Sequence, residues 1–142
     1  PRTIRDTFRV RAALESLAAR TIAELPAPAK NSALTALEKA LEVMAAAEDE
    51  SLHVRLEADV EFHRTLCRAS GNEQLLKTWE QIAGVVRMSI MYAGAERAQR
   101  NVAVARHREV TELLRENPRD LEARMTAHIL DVLDDFELEL ED

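Results

Sequence analysis

The sequence predicts an all-α fold, a single antiparallel bundle of about six helices. Three observations carry that expectation. Apolar residues recur at three- and four-residue spacing along nearly the whole chain, which lines one face of a helix. Ala and Leu dominate and β-branched runs are absent. Gly is only 3 and Pro only 4, and they punctuate the periodic segments.

The first helix is expected from about Thr3 to Leu25, with Phe8, Ala12, Leu14, Leu17, Ala18 and Ile22 inward. Pro26 and Pro28 end it, because proline cannot continue the helix hydrogen-bond ladder. The second spans about Lys30 to Ala47 on Leu34, Leu37, Leu41 and Met44, and an acidic turn at residues 48–51 follows. The third runs to about Ala69 on Leu52, Leu56, Val60, Phe62 and Leu66. Ser70-Gly71-Asn72 stops it, with Gly71 suited to a left-handed C-terminal position and Asn72 to capping the next helix. The fourth carries Leu75, Leu76, Trp79, Ile82, Val86, Ile90 and Met91 and ends near Gly94; Gly84 is placed to bend it or admit a close neighbour. The fifth covers about Ala98 to Glu116. Asn117-Pro118 breaks it, and the sixth covers about Arg119 to Leu140.

At 142 residues and 16.0 kDa the chain suits one domain with one core. Apolar residues are 46% and charged residues 32%, a soluble globular composition. The net charge of −7 argues against binding DNA or an anionic membrane through the whole surface. No apolar run approaches the roughly 20 residues of a membrane span, and no signal-peptide pattern opens the chain. The lone Cys67 cannot form an internal disulfide, which fits a cytoplasmic location. Charge is uneven. Arg2, Arg5, Arg9 and Arg11 stand against Asp6 at the start, and residues 131–142 carry seven acidic side chains and no basic one. The plain account is an exposed start and a solvated tail; the alternative is a tail that tunes an interface or repels nucleic acid.

Four histidines are the chemically distinctive residues: His53, His63, His107 and His128. Asp59 and His63 are four apart, so they lie roughly 40° apart around a helix axis and share a face. That spacing can offer a carboxylate oxygen and an imidazole nitrogen to one metal ion. His53 points elsewhere, about 240° from Asp59 by the same geometry. His107 has Val110, Leu113 and Leu114 at helical spacing, and His128 is flanked by Met125, Ile129 and Val132. Three imidazoles and a carboxylate would make a mixed N/O site for a transition metal such as Zn, Ni, Cu or Mn. A single histidine on a helix edge is usually structural, and i,i+4 Asp–His pairs also occur as simple helix-stabilising pairs. Spacing alone leaves open whether His107 and His128 meet Asp59.

The segment Asp59-Val-Glu-Phe-His63, with Ser70-Gly71-Asn72 and then Leu75-Leu76, resembles the core motif of the FCD domain. That is the all-helical effector domain of FadR-subfamily, GntR-type bacterial transcription regulators. The opening Arg11-Ala-Ala-Leu-Glu15-Ser-Leu-Ala-Ala is similar to the family's first helix. The close, His107-Arg-Glu-Val with Asp120, Ala123, Met125 and His128, resembles its ending; Asp120 to Ala123 is one residue shorter than usual, and Leu113 stands where Ala is common. The resemblance covers nearly the whole chain.

It implies that Asp59, His63, His107 and His128 bind a divalent metal, zinc first, with nickel or manganese as alternatives. It implies that the metal holds the carboxylate of a small organic acid. Arg11, which matches the first-helix arginine, and Arg87, which matches a fourth-helix basic position, are then candidates to pair with that carboxylate. Asn72 is a third candidate contact beside its capping role. The resemblance further implies that residues 1–142 are a ligand-binding and dimerisation domain of a homodimer. DNA would be met only through an N-terminal winged helix-turn-helix domain absent from this chain. The expected function is effector sensing without catalysis. The rivals are a small metal-dependent hydrolase, for which Glu61 is poorly placed as a base at about 200° from both Asp59 and His63, and a metal-free helical interaction module.

Overall fold

A computed structural model describes residues 2–92 and 94–137, with side chains described as far as residue 133. It contains seven helices among those residues: α1 (Arg2–Ala23), α2 (Ala27–Ala46), α3 (Leu52–Ala69), α4 (Glu73–Tyr92), α5 (Ala95–Asn101), α6 (Val104–Glu116) and α7 (Leu121–Glu137). No strand occurs among the described residues, so the chain is all-α as the sequence predicts. The acidic tail from residue 134 onward lies outside the described side chains.

The expected fifth helix is two. α5 ends at Asn101, Val102 is its C-cap, and Ala103 is extended (φ −62°, ψ 134°) before α6 begins. Neither residue is a Gly or a Pro. The break is held by burial instead: Val102 and Val104 both pack into the core on either side of it. The second helix starts three residues early, at Ala27, because Pro26 alone forms the boundary. Pro28 falls in the first turn, where its missing N–H deprives no carbonyl of a partner. The last helix starts at Leu121, two residues after the expected Arg119, because the turn closes between the Pro118 carbonyl and Leu121 N–H.

The other boundaries follow local chemistry. Ser51 caps α3, its hydroxyl accepting from Val54 N–H at 3.3 Å. Asn72 caps α4, its Oδ1 accepting from Leu75 N–H at 3.1 Å. Gly71 (φ +75°) and Gly94 (φ +97°) adopt the left-handed region that glycine enters without penalty, and Asn117 (φ 48°) does so at the end of α6. Gly84 admits no close neighbour: nothing lies within 4 Å of where its Cβ would be, and α4 runs through it unbroken. We expect Ser51→Ala to lower stability by about 1 kcal/mol, read as a smaller urea midpoint at unchanged m value.

α1 is the hub. It packs most extensively on α7 and also meets α3, α4 and α6, while α2 packs on α3 and α6. α1 and α7 are antiparallel: Ser16 faces Thr126 (3.2 Å) and Arg20 faces Glu122. α3 and α4 are antiparallel too, with Arg64 near Glu80 and Glu57 bonded to Arg87. One contiguous apolar cluster fills the space between, built on Phe8, Ile22, Leu37, Phe62, Trp79 and Leu114 among others. Two residues expected inward face solvent, Leu17 (51% exposed) and Met91 (44%). By helical geometry Leu17 lies about 200° from Glu15 and Ala19, opposite the buried stripe of α1, and Met91 lies about 100–140° from the buried Trp79, Val86 and Ile90 of α4.

Candidate metal centre

The core is not wholly apolar. Arg11, Glu15, Asp59, His63 and His107 are all buried in it. α1 supplies the first two, α3 the next two and α6 the last, and α7 adds the partly buried His128. Burying so many charged groups is costly unless each is paired.

Glu15 does most of the pairing. Its carboxylate accepts from Arg11 Nε at 2.6 Å and from Trp79 Nε1–H at 3.2 Å, and it bonds His63 Nδ1. Burial works to raise its pKa, but the Arg11 charge, the His63 charge and the hydrogen bonds from both outweigh it and bring the value to about 2. Glu15 is therefore an ionised carboxylate that can only accept, so His63 Nδ1 carries the hydrogen. His107 Nδ1 lies 2.8 Å from the Ala103 carbonyl oxygen, which likewise can only accept. Both rings are thus fixed with N–H outward and Nε2 inward.

The two inward Nε2 atoms are 3.2 Å apart. Asp59 Oδ1 lies 2.5 Å from His107 Nε2 and 3.6 Å from His63 Nε2. His128 completes the group: ligand atoms of His63, His107 and His128 lie within 4.8 Å of one another. Phe62 packs edge-on against both His63 and His107 and holds the rings in place.

Neutral imidazoles locked in this tautomer aim lone pairs at each other and at a carboxylate. That arrangement is repulsive unless a proton or a metal cation sits among them. Donor atoms around a tetrahedral zinc with bonds of about 2.0–2.1 Å are roughly 3.3 Å apart, close to the Nε2–Nε2 spacing here. Outer hydrogen bonds to a carboxylate and a backbone carbonyl are the usual support of metal-ligating histidines. Without a cation the cluster draws in a proton. Burial lowers the His63 pKa, but the Glu15 charge and the hydrogen bonds with Asp59 and Glu15 leave it raised. Burial also works to raise the Asp59 pKa, yet the His107 charge and hydrogen bond drive it well down. Burial, then the charges of His63, His107, Arg106 and Arg11, lowers His128 to about 2, so its ring stays neutral and able to ligate.

The structure thus gathers the ligand atoms of His63, His107 and His128 and sets Asp59 against His63 and His107; His53 is exposed. A small cavity adjoins them, lined by Arg11, Asp59, His63, Asn101, Arg106 and His128. Of the arginines expected to bind an acid, Arg11 reaches this cavity but its Nε is engaged by Glu15. Arg87 is partly exposed, pairs with Glu57 at 2.7 Å and does not line the cavity. Asn72 is exposed and engaged as the α4 cap. Glu61 pairs with Arg64 at 2.6 Å, away from the cluster. His128 also borders a wider groove of about 620 Å³ between α6 and α7.

The family model of the FCD domain matches residues 6–131, from α1 into α7. The chain belongs to the FCD-domain family. No curated protein and no solved structure matches it. FCD domains are the effector-binding domains of FadR/GntR-type regulators, a regulatory rather than an enzymatic family. No helix among the described residues is long and apolar enough to cross a membrane.

Three residues of this FCD domain escaped the sequence reading as site residues. Glu15 left a signal: with Arg11 it forms an i,i+4 charge pair on the same face as Ala12, Ala19 and Ile22, where an isolated charge has no place. Asn101 and Arg106 left none, because they meet the cavity only through the unpredicted α5–α6 break.

Proposed function

We propose that this FCD domain senses a small organic acid through a bound divalent transition metal held by Asp59, His63, His107 and His128. The observation that carries the reading is the pair of Nε2 atoms converging with Asp59 inside the core, their outer nitrogens held by Glu15 and the Ala103 carbonyl. Nitrogen and oxygen donors in that ratio suit zinc, nickel or manganese better than calcium. A metal there supplies Lewis acidity toward a carboxylate oxygen. The protein side chains orient the ligands, exclude bulk water and add hydrogen-bond donors.

The site draws on α1, α3, α6 and α7, so occupancy biases how these helices sit against one another. In a full-length homodimeric regulator that bias would reach the DNA-reading domains as a population shift, provided the acid binds the two arrangements unequally. The exposed apolar stripe of Val85, Met88 and Tyr92 on α4 supports a self-association surface. A cytoplasmic regulator with no membrane partner fits the same reading.

The test is elemental analysis of untagged protein beside a His63→Ala/His128→Ala double variant. About one equivalent of Zn, Ni or Mn per chain, absent from the folded variant, is the expected result. No metal in either, after metal is offered, would remove the site.

A further inference from the structure

The three histidines of the cluster are not held alike. His63 and His107 are buried, and their outer nitrogens are bonded to Glu15 and to the Ala103 carbonyl. His128 is only partly buried, and no hydrogen bond among the described residues holds its ring. Metal-ligating histidines almost always have such an outer partner, which fixes the ring's orientation. His128 is also the one residue that lines both the small cavity in the core and the wide groove between α6 and α7.

We propose that the α6–α7 groove is the passage by which a divalent cation reaches and leaves the centre, and that His128 is the ligand that turns aside to admit it. This rests on the metal-site reading above. Size favours the groove. It offers about 620 Å³ open to solvent, whereas the core cavity has about 10 Å³, room for about one water and too little for a hydrated cation. Charge favours it too. The groove carries the carboxylates of Glu109, Glu112, Glu116 and Asp131 against Arg108 and Arg124, and an acidic excess in a cleft concentrates cations. The core cavity presents Arg11, balanced by Glu15, and Arg106, whose guanidinium meets no carboxylate among the described residues. A cation arriving from that side would pass an uncompensated positive charge. Asp131 stands three positions after His128, roughly 60° around the helix axis, and lines the same groove. A His128 ring turned outward therefore meets a carboxylate beside it. His63 and His107 keep their Nε2 atoms inward meanwhile, so the inner part of the site persists while His128 moves.

The test is kinetic. Ala105 on α6 and Ala127 on α7 are exposed residues on the two walls of the groove, so a tryptophan at either fills it without entering the core. Zinc uptake by the metal-free protein, and zinc release into excess chromogenic chelator, are followed by stopped flow. The proteins are wild type, Ala105→Trp, Ala127→Trp and the control Ala123→Trp, which is exposed on α7 outside the groove. Both rates should fall together in the groove-filling variants by about tenfold, the change that about 1.4 kcal/mol of added barrier gives. The dissociation constant and metal content should stay as in wild type, because a blocked passage raises the barrier without altering either end state. Ala123→Trp should exchange like wild type. Rates equal to wild type in both groove-filling variants overturn the route, as does equal slowing by Ala123→Trp. A tryptophan that only disturbs packing would raise the release rate at unchanged uptake, and that result overturns the route as well. A wild type that takes up no zinc overturns the metal centre and the route with it, whereas normal loading with unchanged exchange in the filled groove overturns the route alone.

Discussion

Replacing Glu15 by Ala is expected to destabilise the protein by about 3–5 kcal/mol, the cost of leaving a buried charge without its partner. Glu15 is wholly buried and is the acceptor for Arg11, Trp79 and His63 together. Its removal leaves the Arg11 guanidinium, itself 3% exposed, facing a void, and frees the His63 ring from its tautomer. The measurement is urea unfolding of the metal-free protein. Glu15→Gln keeps the shape and one acceptor oxygen, so it should cost less in stability while still weakening metal affinity, because an amide orients and polarises His63 less well than a carboxylate. A Glu15→Ala variant within about 0.5 kcal/mol of wild type would show that the Arg11–Glu15–His63–Trp79 network is not a structural centre.

The second large effect concerns pH and metal together. In the metal-free protein, stability should peak near pH 6.5 and fall on both sides, for different reasons. His128 has its pKa lowered to about 2 by burial and by neighbouring positive charge. Below the ordinary value of 6.5 the unfolded chain takes up a proton that the folded chain refuses, so stability declines as the pH falls. Each such group contributes at most about 1.4 kcal/mol per pH unit. Below pH 4.5 Glu15 adds to the decline, because its folded carboxyl keeps its charge down to about 2 and that advantage is lost as the pH approaches that value. Asp59, lowered in the same sense, adds below 3.8. His63 works on the other side: its pKa is raised, so its contribution is complete below 6.5 and is lost as the pH rises through the folded value.

Metal should change the profile, since the imidazoles must be deprotonated to ligate and binding releases protons. A loaded protein gains stability as the pH rises, where the metal-free protein loses it. With free metal at 1,000 times its dissociation constant the gain is about 4.1 kcal/mol. Urea midpoints across pH 4 to 9, with and without a chelator, give both curves. Superimposable curves would mean that no metal binds the folded state in preference to the unfolded one.

Much of the fold was legible because helices are written in short-range terms. Three- and four-residue apolar spacing, the Ser51 and Asn72 caps, the left-handed Gly71 and the Asn117-Pro118 stop each act within a few residues. The Asp59–His63 pair was legible for the same reason, since helical geometry alone puts both on one face.

What tertiary structure decided is everything that depends on which faces meet. The break at Val102–Ala103 carries no Gly or Pro and exists because Val102 and Val104 are buried on either side of it. Only that break brings Asn101 and Arg106 to one cavity. Arg11 reads in sequence as a candidate contact for an organic acid; packing commits its Nε to Glu15. His107 and His128, ordinary edge histidines in isolation, become members of a cluster because α6 and α7 lie beside α3 and α1. Helix identity is a local property of the chain, and a sequence determines it nearly alone. A buried site is a sum of contacts between distant segments, and their competing charges are settled only when the core closes.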